Sequence, residues 1–166
     1  ESLASIGDRA FEGCDGLESV TIPSGVTNIG DYAFYHCDGL NSVEMMDGVS
    51  HVGEGAFEFC GGLESVTISP DLTNVASYAF YHCSGLKSVT ISTDVASVGT
   101  DAFRGCSAIE VIHVNGDGDR TALRQILSEG GVDVDHVTFD YEGEPPAPPE
   151  EPERPDDPPE KPVVEP

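Results

Sequence analysis

The sequence predicts a solenoid, a coil of short parallel strands made by stacking near-identical units of 23 residues, closed by a separate cap at its C-terminal end. Three observations predict it. Phenylalanine recurs at Phe11, Phe34, Phe57, Phe80 and Phe103, each directly after an alanine. All five cysteines keep the same beat, three residues later, at Cys14, Cys37, Cys60, Cys83 and Cys106. An alternating apolar pair then follows in every unit: Val20/Ile22, Val43/Met45, Val66/Ile68, Val89/Ile91 and Ile112/Val114.

Periodicity inside one unit places the elements. "LESVTIP", residues 17–23, alternates apolar and polar over its second half, the two-residue period of a half-buried strand. "VTNIG", 26–30, is a second short extended piece whose β-branched residue repeats as Ile6, Ile29, Val52, Val75 and Val98. "DYAFYHC", 31–37, spaces alanine, phenylalanine and cysteine as one helical turn would, and one turn does not stand alone in water. No unit has the apolar area to fold by itself, so each is stabilised by its neighbours. The prediction is an α/β-type right-handed coil with a parallel sheet on one face and short strands and helical turns on the other. At about 4.8 Å per parallel strand, five coils and a terminal one make a stack roughly 25 to 30 Å long.

The strand alternation also defines an outward face. It carries Ser19, Thr21 and Pro23, then Ser42, Glu44 and Met46, then Ser65, Thr67 and Ser69, then Ser88, Thr90 and Ser92, then Val111, His113 and Asn115. Of these, Ser19, Thr21, Ser42, Glu44, Met46, Ser65, Thr67, Ser88, Thr90 and His113 are the candidate binding residues of an exposed, mostly hydroxyl-lined sheet face.

The chain divides into three parts: repeats over 1–115, a helix-strand cap over 116–142 and an acidic proline-rich linker over 143–166. In the cap, "GDRTALRQILSEGG" (118–131) has a helix cap at Asp119, an apolar stripe of Leu123, Ile126 and Leu127, and glycine at the exit. After it, Val137 and Phe139 take the strand positions 25 residues beyond Ile112 and Val114. The linker holds ten prolines and eight acidic residues in 24, cannot bury a core, and reads as a polyproline-like spacer reaching roughly 70 Å at about 3.1 Å per residue. At the other end the chain starts just after a strand position, without methionine, as a mature fragment or cut-out region would. The apolar edge beneath Val20 and Ile22 is therefore expected to meet further repeats of the same parent chain.

Charge narrows the partners. With 31 acidic residues against 7 basic ones and a net charge of −24, binding to nucleic acid or directly to an anionic membrane is electrostatically unfavourable. A basic partner, a neutral glycan or a cation is compatible. No signal-peptide core and no apolar run of bilayer-spanning length is present.

"AFYHCDGL" (33–40) and "AFYHCSGL" (79–86) carry imidazole and thiol, the groups that bind zinc and activate nucleophiles. Their spacing argues otherwise. One cysteine per coil makes a column of thiols rather than a tight four-ligand cluster, and buried free cysteine is favoured over disulfides between adjacent coils. The slot before cysteine holds Gly13, His36, Phe59, His82 and Gly105, a variability unsuited to a ligand position. "NGDGD" (115–119) starts like a calcium loop, but Arg120 stands where glycine belongs and Ile126 where the bidentate glutamate belongs, which favours a turn and helix cap. Asp8, Asp31 and Glu54 read as a solvated acidic face, and no nucleophile-base pair stands out. No metal, cofactor or catalytic residue is expected.

"LESVTIPSGVTNIGDYAFYHC" resembles the BspA-like leucine-rich repeat, whose pattern is Leu-x-x-Val-x-Ile-Pro-x-x-Val-x-x-Ile-Gly-x-x-Ala-Phe-x-x-Cys. The resemblance covers residues 1 to about 115; proline follows the strand only at Pro23, and Ala76 replaces the glycine once. It implies a leucine-rich-repeat solenoid, extracellular or at the cell surface, that binds a partner and has no catalytic motif; the expected ligand is a protein or glycan whose identity the resemblance does not transfer. The expected function is a non-enzymatic recognition or adhesion module of a larger surface or secreted protein. The alternative is a rigid structural spacer presenting a neighbouring domain, a catalytic one included, beyond the linker.

Overall fold

The computed structural model describes residues 3–142, so the expected linker over 143–166 lies outside the described residues. Every unit contributes one strand to a six-stranded parallel sheet: β2 (Ser19–Ile22), β4 (Ser42–Met45), β6 (Ser65–Thr67), β8 (Ser88–Ser92) and β10 (Val111–Asn115), with β11 (Thr138–Tyr141) completing the order β2-β4-β6-β8-β10-β11. Half a coil later each unit adds a two-residue strand, giving the ribbons β1 (Ser5–Ile6), β3 (Asn28–Ile29), β5 (His51–Val52) and β7 (Asn74–Val75), β9 (Ser97–Val98).

Stacking in register turns the sequence period into apolar columns. Val20, Val43, Val66, Val89 and Ile112 align across the sheet. The phenylalanines stack face to face at 5.0, 5.0, 5.3 and 5.2 Å from Phe11 to Phe103, all within 8° of parallel. Beside them the thiols do more than fill space. Cys37, Cys60, Cys83 and Cys106 each donate Sγ–H to the carbonyl of the phenylalanine one coil back, at 3.0 to 3.1 Å, and none of the five cysteines is in a disulfide. Burial first of all, with the sulfur–sulfur contacts after it, pushes the Cys83 thiol up.

The turns that the sequence predicts as helical differ in detail. In the second coil, Ala33 donates to Gly30 and Tyr35 to Tyr32, while the alternate amides of Tyr32, Phe34 and His36 reach across to Glu54, Ala56 and Glu58 of the next coil. An α-helix would consume those amides internally. Two residues per turn accordingly take a left-handed conformation: Tyr32 and His36 (φ 56° and 55°), Gly55 and Phe59 (59° and 60°), Tyr78 and His82 (58° and 55°). These residues break the helical run and leave a pair of tight turns bonded to the neighbouring coil.

At the C-terminal end, α1 (Arg120–Glu129) starts where predicted: Asp119 Oδ1 accepts from the amides of Thr121 and Ala122 at 2.9 and 3.0 Å, and Leu123 and Leu127 are buried. The last strand falls two residues later than expected. Phe139 and Tyr141, not Val137 and Phe139, pair with Ile112 and Val114, an offset of 27 residues, because the ten-residue helix and its exit turn at Val132–His136 lengthen this coil. Two guanidinium groups cover this end: Arg120 lies over the Tyr141 ring at 4.1 Å and Arg124 over Phe139 at 4.2 Å, with Arg124 also donating to the Val134 carbonyl. The opposite end is apolar and open. Leu3 is 63% and Phe11 40% exposed, above a cavity of about 320 Å³ lined also by Ile6, Leu17, Val20 and Val26.

Candidate functional site

The ten sheet-face residues do share one surface. Two columns run along it in register, Ser19–Ser42–Ser65–Ser88 and Thr21–Glu44–Thr67–Thr90–His113, with Met46 at the rim, 43% exposed beside the fully packed Met45. Alternation places them there, because residues i and i+2 of a strand point the same way. Thr21 Oγ1 lies 3.5 Å from Glu44 Oε2, so Glu44 is drawn across the gap between coils.

Two expectations about this face are corrected. Ser69 and Ser92 are buried, not outward: their hydroxyls accept from the amides of Asp71 and Asp94, two residues on, and lock the turn that leaves the strand. The face also extends one strand further, through Thr138 and Asp140 of β11, and His113 Nδ1 lies 2.9 Å from Asp140 Oδ2. The late register of β11 hid Asp140 from sequence reasoning. The only signal for it was the Thr-Phe-Asp-Tyr alternation itself.

The acidic residues are exposed but bonded. Asp8 Oδ1 accepts from the Asp31 amide at 3.0 Å, Asp31 Oδ1 from Glu54 at 2.8 Å, and Asp71 Oδ2 from Gly48 at 2.6 Å. A solvated face is thus an incomplete description, since these carboxylates tie one coil to another.

His36 and His82 do not meet. Phe59 lies between them, its ring stacked 4.9 Å from His36 and 5.5 Å from His82. The slot that carries glycine in Gly13 and Gly105 is left-handed in every coil, which accounts for glycine there and was signalled by those two residues. Among the described residues, no group of three or more His, Cys, Asp or Glu is arranged to hold a metal. At the cap, a cavity of about 290 Å³ is lined by Cys106, Ser107, Ile109, Val132, Asp133 and His136. His136 Nδ1 is 2.8 Å from Asp133, and the pair raises the imidazole and lowers the carboxyl from their ordinary values. Both side chains are exposed, so nothing excludes water from them.

Short parallel coils stacked in register, with one sheet face of mostly polar side chains, define a leucine-rich-repeat scaffold. The chain belongs to the BspA type leucine rich repeat family, matched in six copies over residues 1–118 where the phenylalanines count five units. Two solved structures share the fold. A T. pallidum leucine-rich repeat protein is 26% identical with a TM-score of 0.58, over 67% of this chain and 52% of that one. A leucine-rich repeat protein from Bacteroides ovatus is 23% identical with a TM-score of 0.56, over 85% of this chain and 40% of that one. A leucine rich cell surface protein from Faecalibacterium prausnitzii is 28% identical, TM-score 0.49, over 69% and 36%. This chain therefore spans about half or less of the length of the proteins it resembles. No curated protein matches it.

Proposed function

We propose that this leucine-rich-repeat scaffold is a non-enzymatic recognition or adhesion module that acts outside the cell or at its surface, and that its partner is a protein or a glycan held on the sheet face. The observation that carries this is the face itself: two in-register columns of mostly small polar side chains running from β2 to β11, with Val111 the apolar position in one of them and Glu44, Met46 and the His113–Asp140 pair as its larger groups. Small hydroxyls on a rigid parallel sheet lose little conformational entropy on binding, which suits recognition of an extended polar ligand. The open N-terminal end suits a further coil of the same repeat, because Phe11, Leu17 and Val20 repeat the pattern that every internal coil buries. The test is capture of the full chain on immobilised matrix proteins and glycans, compared with a Glu44→Ala, Met46→Ala, His113→Ala triple variant. Loss of capture with an unchanged melt supports the reading. A chain that captures nothing is a spacer, and the reading fails.

A further inference from the structure

The turn that leaves the last repeat strand carries an independent feature. β10 ends at Asn115, and Gly116 follows it. The chain has four asparagines, and the other three precede strand residues: Asn28 and Asn74 open β3 and β7 before Ile29 and Val75, and Asn41 stands before Ser42 of β4. Asn115 alone is followed by glycine, and both residues are exposed.

The Gly116 amide is what makes this step reactive. In two other turns the amide of a glycine after an aspartate is held, Gly48 N–H donating to Asp71 Oδ2 at 2.6 Å and Gly118 N–H to Thr93 Oγ1 at 3.0 Å. Gly116 N–H donates no hydrogen bond among the described residues. The preceding carbonyl is anchored instead, since Asn115 O accepts from Thr93 N–H at 2.8 Å. Glycine sets no side chain beside the Gly116 nitrogen. None can be added there, because on a φ of +98° a Cβ would stand 2.5 Å from Thr93 Oγ1.

We infer that Asn115 is a site of spontaneous chemical modification, where its amide is converted through a cyclic imide to aspartate and isoaspartate. The Gly116 nitrogen loses its proton to solvent base and attacks Asn115 Cγ. A new N–C bond forms as the bond from Cγ to the side-chain nitrogen breaks, and that nitrogen leaves as ammonia. Water then opens the imide at either carbonyl. Opening at Cγ gives aspartate, and opening at the main-chain carbonyl gives isoaspartate, whose main chain runs through the former side chain. Asparagine and water become acid and ammonia, with no change of oxidation state.

The position gives the reaction a consequence. Asn115 lies two residues beyond His113 on the same side of β10. Either product therefore adds a carboxylate at the end of the sheet face where His113 Nδ1 meets Asp140. Isoaspartate also lengthens the main chain by a methylene beside the carbonyl that Thr93 holds, just before the turn ending at the Asp119 helix cap. The chemistry does not depend on a ligand at that face.

The experiment incubates the folded full chain in neutral buffer at body temperature, with a second sample in concentrated urea. Peptide mapping follows the mass gained when the amide nitrogen is replaced by oxygen, and a protein isoaspartate methyltransferase labels the isoaspartate product. In the folded chain, conversion at Asn115 is expected at least tenfold faster than at Asn28, Asn41 or Asn74, faster at higher pH, and within several-fold of its own rate in urea. Asn115→Gln, whose longer side chain closes a larger ring far more slowly, should stay unconverted and melt as the wild type does. An Asn115 that stays intact in the folded chain while converting in urea would show that the fold shields it and overturn the inference. Equal rates at all four asparagines of the folded chain would overturn it too.

Discussion

Phe57→Ala measures how far stability depends on stacking. Phe57 is fully buried and has a ring on each side, Phe34 at 5.0 Å and Phe80 at 5.3 Å. Truncating a buried phenylalanine costs roughly 3 to 5 kcal/mol, and each stacked pair adds about 0.5 to 1.5 kcal/mol beyond area. The loss should therefore lie at the top of that range, about 5 kcal/mol. At roughly 2 to 4 °C per kcal/mol for a domain of this size, the melt falls by about 10 to 20 °C. Phe11→Ala is the matched control: the same repeat position, but 40% exposed with one ring partner, so about 1 to 2 kcal/mol is expected by the same arithmetic. Circular dichroism melts and urea titrations compare the two. Where the alanine variant does not fold, Phe57→Leu, at roughly 1 to 2 kcal/mol, keeps the comparison open. Equal costs at Phe11 and Phe57 would refute the view that stability resides in contacts between coils.

Other expectations concern single positions. His36→Gly should shift stability by less than about 1 kcal/mol in a urea titration, because relief of the left-handed backbone offsets the lost stack on Phe59 and the added chain entropy. Asp119→Ala should cost about 1 kcal/mol in the same titration, through two helix amides left without their acceptor. Glu58→Gln should change stability with pH. A carboxyl raised in the folded chain favours folding while protonated, and that contribution is lost as pH rises from the ordinary value of 4.5 through the folded one. The variant's melting temperature should thus equal the wild type's well below pH 4.5 and exceed it at pH 7; a variant less stable at pH 7 contradicts this.

What was legible in the sequence is what repeats. The Phe, Cys and Val/Ile columns are written once per coil, and a register of one unit per turn follows from them without coordinates. The hydroxyl face is legible for the same reason, since strand alternation assigns Ser19, Thr21 and their counterparts to one side. The exceptions arise where a polar group finds a partner the pattern does not specify. Ser69 and Ser92 fold back onto amides two residues on. Asp8 and Asp31 cap the next coil. The cysteine thiols reach carbonyls one coil back, a role that burial alone does not reveal. The left-handed turns were signalled by Gly13 and Gly105, yet His36 and Phe59 at the same slot obscured them, because stacked rings and bonds between coils hold an unfavourable backbone in place. Asp140 was missed because the helix lengthened the last coil.

The two methionines permit the most direct test of recognition through the sheet face. Met46 is 43% exposed on the rim of that face, and its neighbour Met45 is 2% exposed in the core. Limited peroxide oxidation converts accessible methionine to sulfoxide, so mass spectrometry of the free chain should show Met46 oxidised and Met45 spared. With a captured protein or glycan ligand bound at saturation, the account predicts that Met46 oxidation slows several-fold while Met45 stays unreacted. Oxidation of Met46 at an unchanged rate in the saturated complex would place the ligand elsewhere and contradict it.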